Sequence, residues 1–374
     1  MRALVLSGGG AKGAYQMGVW KALKKLNIKF DIVTGTSIGA VNGMLYVQNN
    51  YYKCLNLWNN IDFDTLFDDF KIENDDVVLD NYINKILSGG IDTTKMKNLL
   101  YQVYNPKKLY KSKIKYGIAT YNLSDNKVIY ATKANTNPKK LKEYILASAT
   151  CFPIFKPTKI GSDNYIDGGY CDNMPINLAI DMGATEVLAV DLEAIGITKK
   201  VKDESINVKY IRPTSKLDSL LMFDNKKVKR MIKLGYNDAM KFYNKLDGNI
   251  YTFKKNTISK IYNLYGYLIN KKLKEYKLDE INIKQFEEIL EYILELFSIP
   301  VEEIYNVKQL LNVLESSILE LIKEVDDKLD PFNKKTIIKN LYTKINNNDK
   351  INNNIFGILN KDLTAAIVLS VLKR

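Results

Sequence analysis

The chain has 374 residues, 46% of them hydrophobic and 26% charged, with a formal net charge of +13 and no histidine. This composition excludes a globally disordered chain, and the length allows a large catalytic domain with a second domain appended. The missing histidine excludes an imidazole base, and three cysteines (Cys54, Cys151, Cys171) without paired spacing argue against an ordinary zinc site, so neither metal nor other cofactor is expected.

Residues 2–6, RALVL, read as a short apolar strand stopped by SGGG. AYQMGVWKALKKL then shows helical spacing with lysines near its end, where the helix dipole favours them. FDIVTGTS gives a second short strand and IGAVNGMLYVQ a second helix. Strand, glycine turn and helix, twice over, predict a parallel sheet covered by helices. Further strands are predicted at 115–122, 127–132, 164–169 and 186–192, and further helices around 53–60, 78–88, 94–104, 139–150, 175–182 and 224–245.

From about residue 251 the strand signals fade. Ile283, Phe286, Ile289, Leu290, Ile293, Leu294 and Phe297 fall on one helical face, and residues 301–325 repeat that pattern until Pro331 breaks it. Residues 346–354, NNNDKINNN, form a polar low-complexity loop, and LTAAIVLSVL after it is too short to span a bilayer, so it reads as a packed or interfacial helix. The expected organisation is an α/β domain over 1–250 and a helical domain over 251–374. The apolar start MRALVL is too short for a signal peptide, and sparse thiols suit a reducing compartment. A cytoplasmic protein is expected, with peripheral membrane contact and export by a non-classical route both left open.

Seven lysines and no acid lie between Thr93 and Ser124, and NKKVKRMIK spans 225–233. A basic surface attracts anionic lipid headgroups or nucleic acid. Lys, Asn, Ile and Tyr are abundant together, however, as coding bias alone would produce. The charge by itself therefore assigns no ligand, and nucleic acid is not an expected partner.

Three segments carry chemistry. GGGAKG, residues 8–13, joins the first strand to the first helix, where unpaired N–H groups form an anion cradle. It suits an oxyanion hole, or a dinucleotide loop, because Gly8, Gly10 and Gly13 satisfy G-x-G-x-x-G. The acid a dinucleotide site needs would be Asp31, which precedes the second strand instead of ending it. Gly35-Thr36-Ser37-Ile38-Gly39 matches the strand-to-helix turn that exposes a nucleophilic serine, although a serine N-cap would also place Ser37 there. Asp167, in NYIDGGYCDNMP, ends a predicted strand; a carboxylate there can take a proton near neutrality, while Gly168 and Gly169 could equally mark a tight turn.

The ordered set GGGAKGAYQMGV, GTSIGA, ASATCFPIF (147–155) and DGGYCDNMP (167–175) resembles the patatin-like phospholipases over about residues 1–250, with FDNKKVKRMIKLGYNDA similar to the family's closing helix. The resemblance implies a three-layer α/β/α fold with a mostly parallel central sheet. It implies a serine–aspartate dyad without histidine: Ser37 as nucleophile and Asp167 as base. Gly8, Gly9 and Gly10 would form the oxyanion loop, and Lys12 stands where the family often has arginine. Gly35, Gly39, Gly168 and Gly169 would support the turns. The implied substrate is a phospholipid or another lipid ester, met at a membrane surface. The helical tail lies outside the resemblance, and a lid, a membrane dock or a switch worked by a partner protein all stand open for it. Two rival readings remain at this point: a nucleotide-binding α/β domain, and a catalytically silent interaction module.

Overall fold

A computed structural model of the protein describes residues 1–62, 66, 90–219, 223–323, 333–349, 351 and 356–373. The chain divides into two units, Met1–Phe242 and Tyr243–Arg374. The division falls a few residues before the change of character read at 251.

The first unit runs β1 (Arg2–Leu6), α1 (Gly13–Lys25), β2 (Ile32–Thr36), α2 (Ile38–Val47), α3 (Tyr51–Asn60), α4 (Thr94–Val103), α5 (Pro106–Lys111), β3 (Lys115–Asn122), β4 (Lys127–Thr132), α6 (Pro138–Ser148), β5 (Thr158–Ile160), β6 (Asp163–Asp167), α7 (Ile176–Asp181), β7 (Glu186–Val190), β8 (Asn207–Ile211) and α8 (Asn225–Phe242). The sheet order is β5-β6-β3-β2-β1-β7-β8, with β4 also on β3. β8, β7, β1, β2 and β3 are mutually parallel, while β4, β5 and β6 run antiparallel to their neighbours.

Strand periodicity explains the layers. Ala3, Val5 and Ile32 pack with Ile176 and Ala179 of α7 on one face. Alternate residues turn the other way, so a Cβ built on Gly43 of α2 would touch Val33 and come near Leu6. Helices thus cover both faces of a mostly parallel sheet, the three-layer arrangement the sequence predicts. β5 and β8 were not expected: β5 has three residues, and β8 alternates exposed and partly buried positions at the sheet edge. The short helix α5 was also missed, though Asn105 caps it and Pro106 opens it. The helix expected at 78–88 and the break at Pro331 lie outside the described residues.

β3 organises the site. Along one edge it pairs first with β2, up to Thr36 opposite Ala119, and then with β6, from Asp167 opposite Thr120. The parallel β2 and the antiparallel β6 therefore end head to head on consecutive residues of one strand. Ser37 and Asp167 meet through this junction, and not through a shared parallel-strand edge.

α1 and α8 cross with their backbones almost touching. A Cβ on Gly18 would lie 2.0 Å from the Ile232 carbonyl oxygen, and one on Gly235 would lie 2.0 Å from that of Tyr15. The Tyr15 hydroxyl donates to Asp238 at 2.9 Å across the same crossing.

The second unit contains β9 (Leu246–Asp247), β10 (Thr252–Lys254), α9 (Thr257–Glu275), α10 (Ile283–Leu296), β11 (Ile304–Tyr305), α11 (Val307–Lys323), α12 (Lys334–Asn346) and α13 (Phe356–Leu372). The stripe on α10 is buried as expected, except Ile283, which sits exposed in the first turn. Asn282 and Gln285 cap that helix reciprocally. α13 is buried all along residues 362–372, which makes it the core helix of this unit and not an interfacial one. No described helix is long and apolar enough to cross a membrane.

Candidate active site

Ser37 occupies the turn between β2 and α2 with φ 56° and ψ −128°, a left-handed conformation that costs a non-glycine residue strain. The flanking glycines make that turn sterically possible. A Cβ on Gly35 would lie 2.4 Å from the Gly39 oxygen, and one on Gly39 would lie 2.2 Å from the Leu6 oxygen. Ser37 makes no side-chain capping bond to α2, so its hydroxyl is left for other work. Its backbone N–H donates to Ser148 Oγ at 2.8 Å, and Ser148 donates onward to the Ala119 carbonyl at 2.7 Å. Ser148, within the ASATCFPIF motif, clips the turn to β3; the sequence reading had not singled it out.

Asp167 ends β6 and is buried. Its Oδ1 accepts the Gly169 N–H at 2.7 Å, and its own N–H donates to the Thr150 carbonyl at 2.9 Å. Burial pushes its carboxyl up to about 6, against the hydrogen bonds from the Ser37 side chain and the Gly169 N–H, which favour the ionised form. Gly168 is required by close approach, because a Cβ there would lie 2.2 Å from the Ala119 oxygen. The two glycines after Asp167 thus do separate things: one lets β3 pass, the other supplies a donor.

The glycine-rich loop is less uniform than its sequence. The Gly8 N–H donates to the Asn173 carbonyl at 3.1 Å, which removes Gly8 as an oxyanion donor. Gly9 and Gly10 have φ 155° and φ 54°, line the cavity beside Ser37, and give their N–H groups to no described acceptor. Ile38, at the open first turn of α2, adds a third unpaired N–H that the sequence reading overlooked; the donor after a nucleophile is the signal that could have found it. Lys12 stands where the family often has arginine, a position expected to supply positive charge near the oxyanion or a lipid phosphate. Its ammonium reaches the Glu193 carbonyl at 3.5 Å, and Lys12 does not line the cavity.

The cavity is about 630 Å³, and its described wall is mainly apolar, with Val41, Leu45, Leu100, Leu146 and Phe155 among its residues. Ser37, Asp167, Asn42 and Asn173 are its polar side chains apart from hydroxyl and thiol groups at Tyr170, Cys54 and Cys151. Asn42 is fully engaged, donating to the Gly13 carbonyl and Gln16 and accepting from Trp58. Asn173 differs. Gly8, Gly169 and Gly196 hold it closely on three sides, yet its side-chain amide bonds no described residue. An amide left open inside an apolar cavity is costly unless whatever fills the cavity bonds it. Sequence reasoning quoted Asn173 within DGGYCDNMP but gave it no role.

Asp31 lies at the other end of β2, where it accepts the Arg2 N–H at 2.9 Å. It is not placed to hold a ribose beside the glycine loop. Cys151 is half-buried near Asp167; desolvation and the neighbouring carboxylate push its thiol up to about 11, so it is a poor nucleophile.

The chain is similar to known proteins over about half of its length. Residues 4–180 match the family model Patatin-like phospholipase. Patatin-like phospholipase domain-containing protein 7 of Rattus norvegicus is 29% identical over 192 residues, covering 51% of this chain and 13% of that protein. A lysophospholipase of Aspergillus terreus is 27% identical over 202 residues, covering 51% of this chain and 12% of its own length. The chain thus spans only a small part of the curated relatives it matches. Among solved structures, VipD from Legionella pneumophila aligns with a TM-score of 0.43 at 16% identity, over 99% of this chain and 90% of that one. Through its match over residues 4–180, the N-terminal unit is similar to the patatin-like phospholipases.

Proposed function

We propose that the protein is a serine acyl hydrolase that cleaves fatty-acyl esters of phospholipids through Ser37 and Asp167, acting at a lipid surface. The observation that supports this most is the head-to-head end of β2 and β6 on β3, beside an apolar cavity and open N–H groups. Ser37 Oγ attacks the ester carbonyl as Asp167 takes its proton. The carbonyl oxygen, now negative, is met by the N–H groups of Gly9 and Gly10, with Ile38 as a further donor. The C–O bond to the leaving alcohol then breaks, and Asp167 returns the proton to that alcohol. Water, deprotonated by Asp167, attacks the acyl-serine; the acyl bond to Ser37 Oγ breaks, Asp167 returns the proton to Oγ, and the fatty acid leaves. A carboxylate lifted to about 6 is a better base than an ordinary one and is still ionised at neutral pH. The cavity wall suits an acyl chain, and three free thiols suit a reducing compartment.

A nucleotide-binding domain is disfavoured by the position of Asp31. A silent interaction module would leave the strained Ser37 without purpose. Hydrolysis of a phospholipid by purified protein tests the proposal. Ser37→Ala and Asp167→Asn should each lose activity by about 10³-fold or more while keeping the wild-type circular dichroism spectrum. Substantial turnover by either variant would reject the dyad.

A further inference from the structure

The loop after β7 presents apolar side chains to water at the mouth of the cavity. Ile195 is 95% exposed and Ile197 is 57% exposed, and both also border the cavity. Tyr170, another exposed wall residue, donates its hydroxyl to the carbonyl of Phe152, which is exposed as well. Three large apolar or aromatic side chains, Ile195, Ile197 and Tyr170, therefore border the cavity while exposed to water.

The loop base is firmly held. The Ile197 N–H donates to the Gly169 carbonyl at 2.8 Å, and the Asn173 N–H donates to the Ile197 carbonyl at 2.6 Å. These anchors lie within a few residues of Asp167, so the tip is presented at a fixed position beside the reacting centre. A lone exposed isoleucine is ordinary, but a rim of such side chains continuous with an apolar interior is not.

Charge indicates the occupant. From Glu193 to Lys202 the chain carries three lysines against one acid, and the Lys12 ammonium lies at the Glu193 carbonyl. Lys200 and Lys202 are shared with Glu204 and Asp181 in exposed pairs, and Lys199 donates to the Tyr130 hydroxyl, so Lys12 and Lys199 against Glu193 leave an excess of one positive charge around this stretch, on a chain of net charge +13. A lysine-flanked apolar tip matches the anionic headgroups and hydrocarbon of a bilayer, layer for layer.

We propose that residues 193–197, with Tyr170, form the element that enters an anionic lipid surface and joins its hydrocarbon to the cavity. An acyl chain leaving the bilayer would then pass between apolar surroundings without crossing water. This rests on the lipid-ester reading, and it adds the surface that delivers the substrate.

The test is sedimentation of the full chain carrying Ser37→Ala, which consumes no lipid, with vesicles of equimolar phosphatidylcholine and phosphatidylglycerol. Adding Ile195→Ser and Ile197→Ser should weaken binding by about tenfold or more, since each removes an apolar side chain from the layer it would enter. Ile195→Trp should bind at least as tightly as the parent, because tryptophan favours the interface. Phosphatidylcholine alone should bind more weakly than the mixture. Equal binding by the serine variants would overturn the proposal, as would a parent that ignores vesicles. Vesicle binding does not depend on turnover, so hydrolysis of a soluble short-chain ester by the unaltered protein separates failure here from failure of the hydrolase reading.

Discussion

The two units are held together in different ways. Seventeen of the twenty glycines lie in residues 1–242 and three beyond them. In the first unit glycine brings main chain against main chain: Gly39 on Leu6, Gly168 on Ala119, Gly18 and Gly235 across the α1–α8 crossing. In the helical unit main chain meets main chain at the Gly248 turn, where a Cβ would lie 2.2 Å from the Tyr251 oxygen, but side chains fill the core, with Phe253, Phe286, Leu290, Leu314 and the buried face of α13 together. The difference teaches where chemistry can be built. A hydroxyl, a carboxylate and open N–H groups converge where backbones approach closely, and a side-chain-packed bundle offers no such junction.

Alanine at equivalent glycines should break this comparison most sharply. Gly235→Ala places a methyl group 2.0 Å from a backbone oxygen that cannot move alone, and should cost about 3 kcal/mol or more or prevent folding. Gly266→Ala in α9 would first meet the Tyr262 ring, at 3.0 Å, a side chain and not a backbone oxygen, and better helix propensity should hold its change within about 1 kcal/mol. Chemical denaturation of both variants measures the contrast; equal losses would show that backbone proximity is not what distinguishes the units.

Buried polar groups sharpen the comparison next. Asn173 faces the cavity without a side-chain partner among the described residues, so Asn173→Leu should lower kcat/KM by about 10–100-fold with little loss of stability. Glu291 in the helical unit accepts the N–H groups of Asn249 and Tyr251 at 2.9 and 3.0 Å, which ties down the turn before β10. Glu291→Gln should lower stability by about 1–2 kcal/mol, seen as an earlier thermal midpoint. A destabilised Asn173→Leu with unchanged kinetics would make Asn173 a packing residue.

The smallest effect concerns pH. Asp167 must be ionised to accept a proton, so the rate should fall about tenfold per pH unit below about 6. Because burial raises its folded-state value, its contribution to stability is full below its ordinary range and is lost as pH rises through about 6. Asp167→Asn should therefore melt at or above the wild-type temperature in mildly alkaline buffer, by up to about 2 kcal/mol, while losing activity. Wild-type rates that stay level down to pH values well below this range would assign the base elsewhere.

Much of the site was legible in the sequence because glycine marks backbone constraint. Gly35 and Gly39 announce the turn that strains Ser37, and Gly168 announces the close pass beside Asp167. The first strands were equally plain, since RALVL and DIVTGT are short, apolar and glycine-stopped. The junction on β3 was not legible, because the antiparallel run of β6 depends on pairing between residues more than forty positions apart. The same holds for Gly8, whose N–H is taken by Asn173, and for Lys12, whose reach is set by Glu193 in a distant loop. β8 escaped notice because an edge strand needs only half its residues to be apolar.

The most direct test of the central claim is covalent labelling by a fluorophosphonate, with the adduct located by peptide mass spectrometry in the wild type and in Asp167→Asn. The account predicts one adduct on Ser37, formed about 10²–10³-fold more slowly in the variant. An adduct on another residue, or equal labelling rates in the two proteins, would contradict it.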